Sequence, residues 1–174
     1  MYGKGTFKRL WAALRGVRSP SVQVPEGPKL NLGCGSDYRE GWDNWDVIDT
    51  VRAEAYLDFS KDSFPAEDEK YGEIYSNGVL EQILENRGLM HCMNECHRVL
   101  KPGGVFNIVV PDSRYPITFI DPHCCRHFIS ETFRYFCAGT KAYRRYGSMY
   151  GYLPWSSYTT HTNQRGLLSV TLIK

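Results

Sequence analysis

Two glycines that follow a short apolar segment are the residues of this chain best suited to bind a ligand. Gly33 and Gly35 come directly after residues 29–32, Lys-Leu-Asn-Leu. A glycine pair at the carboxyl end of a first strand lets the backbone approach a ligand closely, and open α/β sheets bind nucleotides at this turn. Glycine pairs are also common at ordinary strand-to-helix turns, so the pair alone is weak evidence for a nucleotide site. The acid Asp46 strengthens the evidence for such a site. It lies where a second strand should end and can accept hydrogen bonds from ribose hydroxyls.

The residues around the glycines indicate the class of nucleotide. A dinucleotide site requires Gly-x-Gly-x-x-Gly with pyrophosphate on the following helix N-terminus, but the sixth position here is Tyr38. Residues 36–42 place the carboxylates of Asp37 and Glu40 beside the turn and are too few for a phosphate-binding helix before Asp46. The sequence therefore favours a nucleoside cofactor that has no phosphates and carries a positive sulfonium.

A second pair of residues, Asp121 and His123, is suited to proton transfer. The imidazole can take a proton from a hydroxyl while the carboxylate orients it or binds a metal. A hydrogen-bonded His123 with a purely structural role is the alternative. The nearby Cys124 and Cys125 are adjacent, which does not match the ligand spacing of structural zinc sites, so we predict no metal centre.

The elements that position these residues belong to a parallel sheet flanked by helices. Apolar residues recur at helical spacing at Leu89, Cys92, Cys96 and Val99. Residues 101–104, Lys-Pro-Gly-Gly, are a typical helix stop. Residues 105–110 are apolar except for Asn107, as expected of a strand buried on both faces.

Composition predicts one compact domain. The chain has 174 residues, 42% of them hydrophobic and 23% charged, which is enough to bury a core. It contains no apolar run of the roughly 20 residues that a membrane span needs. Six cysteines without a secretory signal are typical of thiols in a reducing compartment, so we expect a cytoplasmic protein.

The basic charge is concentrated at the N-terminus. Residues 1–25 contain five basic residues and no acid, which leaves 16 basic and 19 acidic residues on 26–174. Binding of nucleic acid by the body is therefore not expected. Within this leader, residues 6–17 have the periodicity of a basic amphipathic helix, which either packs on the domain or, through residues 1–18, contacts an anionic membrane or a partner protein.

Several motifs, in order, resemble those of a small class I S-adenosylmethionine-dependent methyltransferase. They are residues 30–35 (Leu-Asn-Leu-Gly-Cys-Gly), 41–46 (Gly-Trp-Asp-Asn-Trp-Asp), 79–82 (Val-Leu-Glu-Gln) and 98–104 (Arg-Val-Leu-Lys-Pro-Gly-Gly). Asp58 matches the acid that ends the third strand of this family and faces the adenine. The resemblance extends over about residues 28–174 and rests on the ordered set of motifs.

The resemblance implies a fold, a cofactor and a set of site residues. The fold is α/β: a Rossmann-like, doubly wound, mostly parallel seven-stranded sheet with an antiparallel C-terminal hairpin at one edge, formed by residues 26–174. The strands of that hairpin are residues 153–160 and 167–173. The implied cofactor is S-adenosylmethionine. The residues implied to bind it are Asn31, Gly33, Cys34, Gly35, Asp46, Val47, Asp58, Phe59 and Asn77.

The chain departs from the family pattern at three positions. Asn31 replaces the usual acid at the start of the glycine motif, so it can accept a hydrogen bond from the methionyl ammonium without a charge. Gly78 and Gln82 replace histidines that often flank Val-Leu-Glu. Methyl transfer then depends on positioning and on a base at the acceptor side.

Residues 111–160 are expected to select the acceptor. Ten aromatic residues lie between Phe128 and Tyr158, interspersed with four basic ones, and Ser130 has the pattern of a helix N-cap. Aromatic rings stack on a pyranose or on a base, or simply complete a small core. An Asp-Pro-x-His element followed by Phe-x-x-Glu-Thr-Phe is also similar to relatives that modify sugars and cell-surface polysaccharides.

Three functions are consistent with these residues. The first is O-methylation of a sugar or another small hydroxylated acceptor, with Asp121 and His123 as catalytic residues, in polysaccharide biosynthesis. The second is methylation of RNA, protein or a lipid-like metabolite. The third is a cofactor-binding domain without chemistry that serves as the partner of a glycosyltransferase.

Overall fold

The computed structural model describes residues 23–174, so the helix expected at residues 6–17 lies outside the described residues. Seven strands form one sheet in the order β3-β2-β1-β4-β5-β7-β6. Their bounds are β1 Lys29–Leu32, β2 Asp43–Asp46, β3 Ala55–Tyr56, β4 Tyr71–Asn77, β5 Leu100–Pro111, β6 Ser157–Thr162 and β7 Leu167–Ile173.

The strand directions confirm the predicted mixed sheet. Strands β1 to β5 pair in parallel, whereas β7 runs antiparallel to both β5 and β6. The C-terminal hairpin therefore lies at one edge, as predicted, although β6 begins at Ser157, four residues later than expected. The carboxyl ends of β1, β2 and β4 meet at the same edge of the sheet, which brings the residues that follow them together.

Among residues 23–174 there is one α-helix, α1 (Asn86–Val99), which covers one face of the sheet. Its inward residues Cys92, Met93 and Cys96 are completely buried, which confirms the periodicity seen in the sequence. The helix ends at Val99 and β5 begins at the next residue. The connections between β1, β2, β3 and β4 contain no α-helix, so the segment after the glycine pair is indeed too short for one.

The opposite face of the sheet carries a polar ladder across four strands. Lys29 pairs with Glu73 at 3.0 Å, and Asn107 donates a hydrogen bond to the other Glu73 oxygen, also at 3.0 Å. Thr171 donates in turn to Asn107 at 2.8 Å. Asn107, the one polar residue of the apolar run in β5, is thus explained by the face of the sheet to which it points.

The segment after β5 differs from the prediction. Ser130 starts a short 3-10 helix, Ser130–Tyr135, and does not cap it. The turn is closed instead by Thr132, whose hydroxyl accepts a hydrogen bond from the Ile129 amide and whose amide donates to the Ile129 carbonyl. Further short turns are the 3-10 helices Leu80–Gln82 and Pro116–Phe119 and the π-helix Tyr143–Gly147.

Candidate active site

The glycine turn after β1 is fixed against β2. The amides of Gly33 and Cys34 both donate to the Trp45 carbonyl, at 2.8 and 3.0 Å. Gly33 has φ of +71°, and a Cβ there would lie 2.1 Å from a methyl group of Val79. Gly35 has φ of +47°, and a Cβ there would meet nothing within 4 Å. The first glycine thus allows β1 to approach the segment after β4, and the second leaves space open beside the turn.

Asn31 organises this turn with its amide group. Its Nδ2 donates to the Asp37 carbonyl at 2.7 Å and to Asn44 Oδ1 at 2.9 Å. Both amide protons are therefore used, while Oδ1 accepts no hydrogen bond from a residue in 23–174. The residue is 2% exposed. Where the family has an acid, this chain presents a neutral oxygen that a cationic ligand group can approach.

Asp46 ties the glycine turn to the end of β2. One carboxylate oxygen accepts a hydrogen bond from the Gly35 amide at 2.7 Å and the other accepts one from the Ile48 amide at 2.9 Å. Each oxygen keeps a lone pair. The carboxylate can thus hold the turn and still accept a hydrogen bond from a ligand hydroxyl.

Asp58 and Phe59 follow β3. Hydrogen bonds from the Ser60 hydroxyl and amide, at 2.6 and 2.9 Å, and the ammonium of Lys61 lower the pKa of Asp58, against the opposing effect of its partial burial. Phe59 is 6% exposed and packs edge-on against Phe64.

The thiol of Cys34 is unreactive, because burial and the nearby Asp46 raise its pKa to about 11.

These residues surround one cavity of about 780 Å³. All nine residues that the sequence assigned to cofactor binding line it: Asn31, Gly33, Cys34, Gly35, Asp46, Val47, Asp58, Phe59 and Asn77. The lining contains no basic residue and five acids, which are Asp37, Asp46, Asp58, Glu85 and Asp121. A cavity with this charge suits a cationic ligand and repels phosphates.

Asp121 and His123 are placed differently from one another. Asp121 lines the cavity, but His123 is not part of the lining and its side chain is 81% exposed. The two still interact, because Asp121 Oδ1 lies 3.3 Å from His123 Nδ1 and accepts a hydrogen bond from the His123 amide at 2.9 Å. The structure thus brings the predicted acid, and not the predicted base, to the cavity wall.

Two buried polar atoms, one at the last residue of β4 and one after it, have no hydrogen-bond partner among the described residues. They are Asn77 Oδ1, on the cavity wall, and Glu81 Oε2. Burial raises the pKa of Glu81 to about 8, so this carboxyl is mostly protonated at neutral pH. The main-chain carbonyl of Glu81 accepts hydrogen bonds from the amides of Cys125 and Arg126 and thereby fixes the segment that carries Asp121.

Comparison with known proteins identifies the fold and gives one family model that matches part of the chain. The sequence model of a methyltransferase domain matches residues 41–108. An S-adenosylmethionine-dependent methyltransferase from Archaeoglobus fulgidus is similar in structure, with a TM-score of 0.62, 10% identity and 88% of each chain covered. One from Mesorhizobium loti has a TM-score of 0.56 and 12% identity over 94% of this chain and 97% of the other. Residues 41–108 are thus similar to a methyltransferase domain, and the chain has the fold of class I S-adenosylmethionine-dependent methyltransferases.

A further similar structure is the complex between the Haloferax volcanii Trm112 methyltransferase activator and the putative methyltransferase, with a TM-score of 0.57 and 16% identity over 87% of this chain and 84% of that chain. At these identities the structural likeness establishes the fold of the methyltransferase domain. A search of curated proteins found no match. Within residues 23–174, none of the helices is long and apolar enough to cross a membrane.

The cofactor of the methyltransferase is S-adenosylmethionine, and the cavity fits it. The open space beside Gly35 accommodates a ligand against the backbone, and the acidic lining complements a sulfonium and an ammonium group. The absence of basic residues from this lining explains why a dinucleotide would bind poorly.

Sequence reasoning missed part of the cavity wall. It did not assign cavity positions to Tyr75, Ile83, Leu84 and Glu85, and it treated Gln82 only as a missing histidine. Tyr75 alternates with buried core residues along β4, and the guanidinium of Arg39 lies 3.6 Å from the centroid of its ring. Strand alternation was the signal available for Tyr75, whereas residues 82–85 form a turn without a recognisable pattern.

Proposed function

We propose that the methyltransferase methylates a hydroxyl of a sugar or another small hydroxylated acceptor, as part of polysaccharide biosynthesis. The observation that carries the proposal is the carboxylate of Asp121 in the cavity wall, a hydrogen-bond acceptor for a ligand hydroxyl in a lining that contains no basic residue.

The cofactor would lie along the ends of β1, β2 and β3. Asn31 Oδ1 would accept a hydrogen bond from the methionyl ammonium, and the backbone of residues 33–35 would contact the same part of the ligand. Asp46 would accept hydrogen bonds from the ribose hydroxyls, with Val47 beside it. Asp58 and Phe59 would face the adenine. These assignments rest on the contacts described above and on the cavity that the residues share.

Bound in this way, S-adenosylmethionine supplies an electrophilic methyl group on a sulfonium. The chain's own residues then have to orient the attacking hydroxyl and remove its proton. Asp121 is the carboxylate on the cavity wall, so it would contact that hydroxyl. Asp121 would also accept the proton of that hydroxyl and pass it to solvent, while His123, with its ring exposed, would orient the carboxylate by donating a hydrogen bond from Nδ1 to Asp121 Oδ1.

A transfer assay with methyl-labelled cofactor against sugars, nucleotide-linked sugars, glycolipids and RNA tests this function. We expect label in a hydroxylated sugar, and Asp121→Asn to lower turnover about 10²- to 10⁴-fold, the usual contribution of a general base. His123→Ala should lower turnover less, while the affinity for S-adenosylhomocysteine stays the same in both variants. Exclusive labelling of RNA or protein would refute the proposal, and full activity of Asp121→Asn would refute the assigned roles.

We further propose that the reaction takes place in the cytoplasm. All six cysteines have free thiols, and Cys34, Cys92, Cys96 and Cys137 are buried. Thiols are retained in this form in reducing compartments.

A further inference from the structure

Three tyrosine rings, Tyr135, Tyr146 and Tyr150, form a cluster that we call the tyrosine platform. Their centroids form a nearly equilateral triangle with sides of 6.1, 6.2 and 6.3 Å, and their planes lie within 23° of parallel. All three pairs are stacked with an offset, so together the rings present a surface wider than one ring.

The platform is part of the fixed fold. A Cβ at Gly147 would lie 2.0 Å from the Tyr135 carbonyl, so only glycine lets the π-helical turn Tyr143–Gly147 approach this close. The Tyr143 hydroxyl donates to the Tyr152 carbonyl at 2.9 Å. Tyr150 remains 52% exposed. These contacts place the rings before any ligand arrives, which reduces the entropy lost on binding.

Four cations accompany the rings: Arg134, Lys141, Arg144 and Arg145, all exposed. The guanidinium of Arg145 lies 5.2 Å from the Tyr146 ring centroid. None of the four forms an ion pair with an acid in residues 23–174. The platform is therefore an aromatic surface with unneutralised positive charge at its borders, which fits a ligand with flat apolar faces and negative groups.

The charge of the rest of the domain limits the size and type of this ligand. Apart from these four cations, residues 26–174 contain 12 basic and 19 acidic residues. Binding of a nucleic acid depends on a long track of basic residues that contacts many phosphates. The excess of acidic residues outside the platform does not favour such a track. An acidic glycan needs fewer charges and presents pyranose C–H faces to the rings.

The segment that carries the platform and the mouth of the cavity are both attached to α1 or to the residues just before it. Asn94 of α1 donates to the Gly151 carbonyl at 2.8 Å and accepts from the Leu153 amide at 2.9 Å. Arg126 donates to the carbonyl of Leu84, a residue of the cavity wall just before the same helix, and to Oδ1 of Asn86, its first residue, both at 3.0 Å.

We propose that the tyrosine platform and its four cations bind an acidic glycan, with carboxylate or phosphate groups, and hold the chain while one of its hydroxyls enters the cavity. This inference rests on the proposed function, because it identifies the acceptor class of the same site. It predicts that binding of the glycan and transfer to short sugars are separable properties.

Fluorescence anisotropy with labelled oligogalacturonate and phosphomannan fragments tests the proposal, with maltoheptaose and oligouridylate as comparison ligands. We expect binding of one or both acidic glycans, and the one that binds distinguishes carboxylate from phosphate. Tyr150→Ala and Arg145→Gln should each weaken it at least about fivefold, whereas Tyr150→Phe retains most of the affinity. Tyr56→Ala, on the opposite edge strand, and Lys101→Gln, at the amino end of β5, are matched controls.

Unchanged cofactor affinity in Tyr150→Ala and Arg145→Gln would show that both variants are folded. Absence of acidic glycan binding, equal binding by all variants, or preferred binding of oligouridylate would each overturn the proposal. Methyl transfer to short sugars that the variants leave intact would preserve the proposed function even then. Conversely, glycan binding at the platform without transfer to any sugar would overturn the proposed function alone.

Discussion

Replacing the buried Glu81 by glutamine should change how folding stability depends on pH. Glu81 is 1% exposed, and its Oε2 has no hydrogen-bond partner among the described residues. Burial raises its pKa from the ordinary 4.5 to about 8. Between these pH values the carboxyl is protonated in the folded chain but ionised in the unfolded chain. The folded state therefore binds one proton more, and stability falls as the pH rises from about 4.5 to about 8.

The size of the effect follows from the same pKa values. Stability should fall by about 1.4 kcal/mol for each pH unit in this interval, which gives about 3 kcal/mol at pH 7 and at most about 5 kcal/mol above pH 8. Small domains have a total unfolding free energy of about 5–15 kcal/mol. Glu81→Gln keeps the shape of the side chain and cannot ionise, so it should remove this pH-dependent loss.

Urea unfolding of both proteins at several values between about pH 5 and pH 8.5, followed by the fluorescence of buried Trp45 and Trp155, measures the difference. Glutamine adds a fixed cost for its own amide, so the diagnostic is the change of the difference with pH and not its value at one pH. Glu67→Gln, at an exposed glutamate, is the matched control and should show no trend. A constant difference between wild type and Glu81→Gln would refute the buried, protonated carboxyl.

Two further predictions concern the glycine turn. Asp46→Ala removes the acceptor of the Gly35 amide and the proposed ribose contact, so calorimetry should show weaker S-adenosylhomocysteine binding by about 1.5–3 kcal/mol; unchanged affinity would exclude Asp46 from the site. Gly33→Ala places a Cβ 2.1 Å from Val79 in a left-handed conformation and should lower the unfolding free energy by about 2–5 kcal/mol. Gly41→Ala has a similar φ of +78° without the clash and should cost only about 1–2 kcal/mol, so equal losses would contradict the packing argument.

The sequence alone identified residues that line the cavity. Gly33, Gly35 and Asp46 are close to the ends of short strands, and the carboxyl ends of parallel strands meet at one edge of a sheet. Once the strand order is that of an open α/β sheet, residues at these ends must be neighbours. The helical periodicity of α1 and the apolar run of β5 were equally readable, because each reflects burial on a face set by local backbone geometry.

The arrangement of the segment after β5 depended on the tertiary structure. The aromatic residues after β5 cannot be told apart by residue type. Phe133 and Trp155 are buried in the core, whereas Tyr150 is half exposed. No local period distinguishes them, because short 3-10 and π turns change the direction of the chain every few residues.

The same applies to the ionisable groups. Asp121 and His123 are two residues apart, but only the first lines the cavity, and the protonation of Glu81 depends on the segment folded over it. Sequence determines which groups can titrate. Their solvation is determined by residues distant in the chain, and solvation sets both the pKa of a buried carboxyl and the access of an imidazole to the ligand.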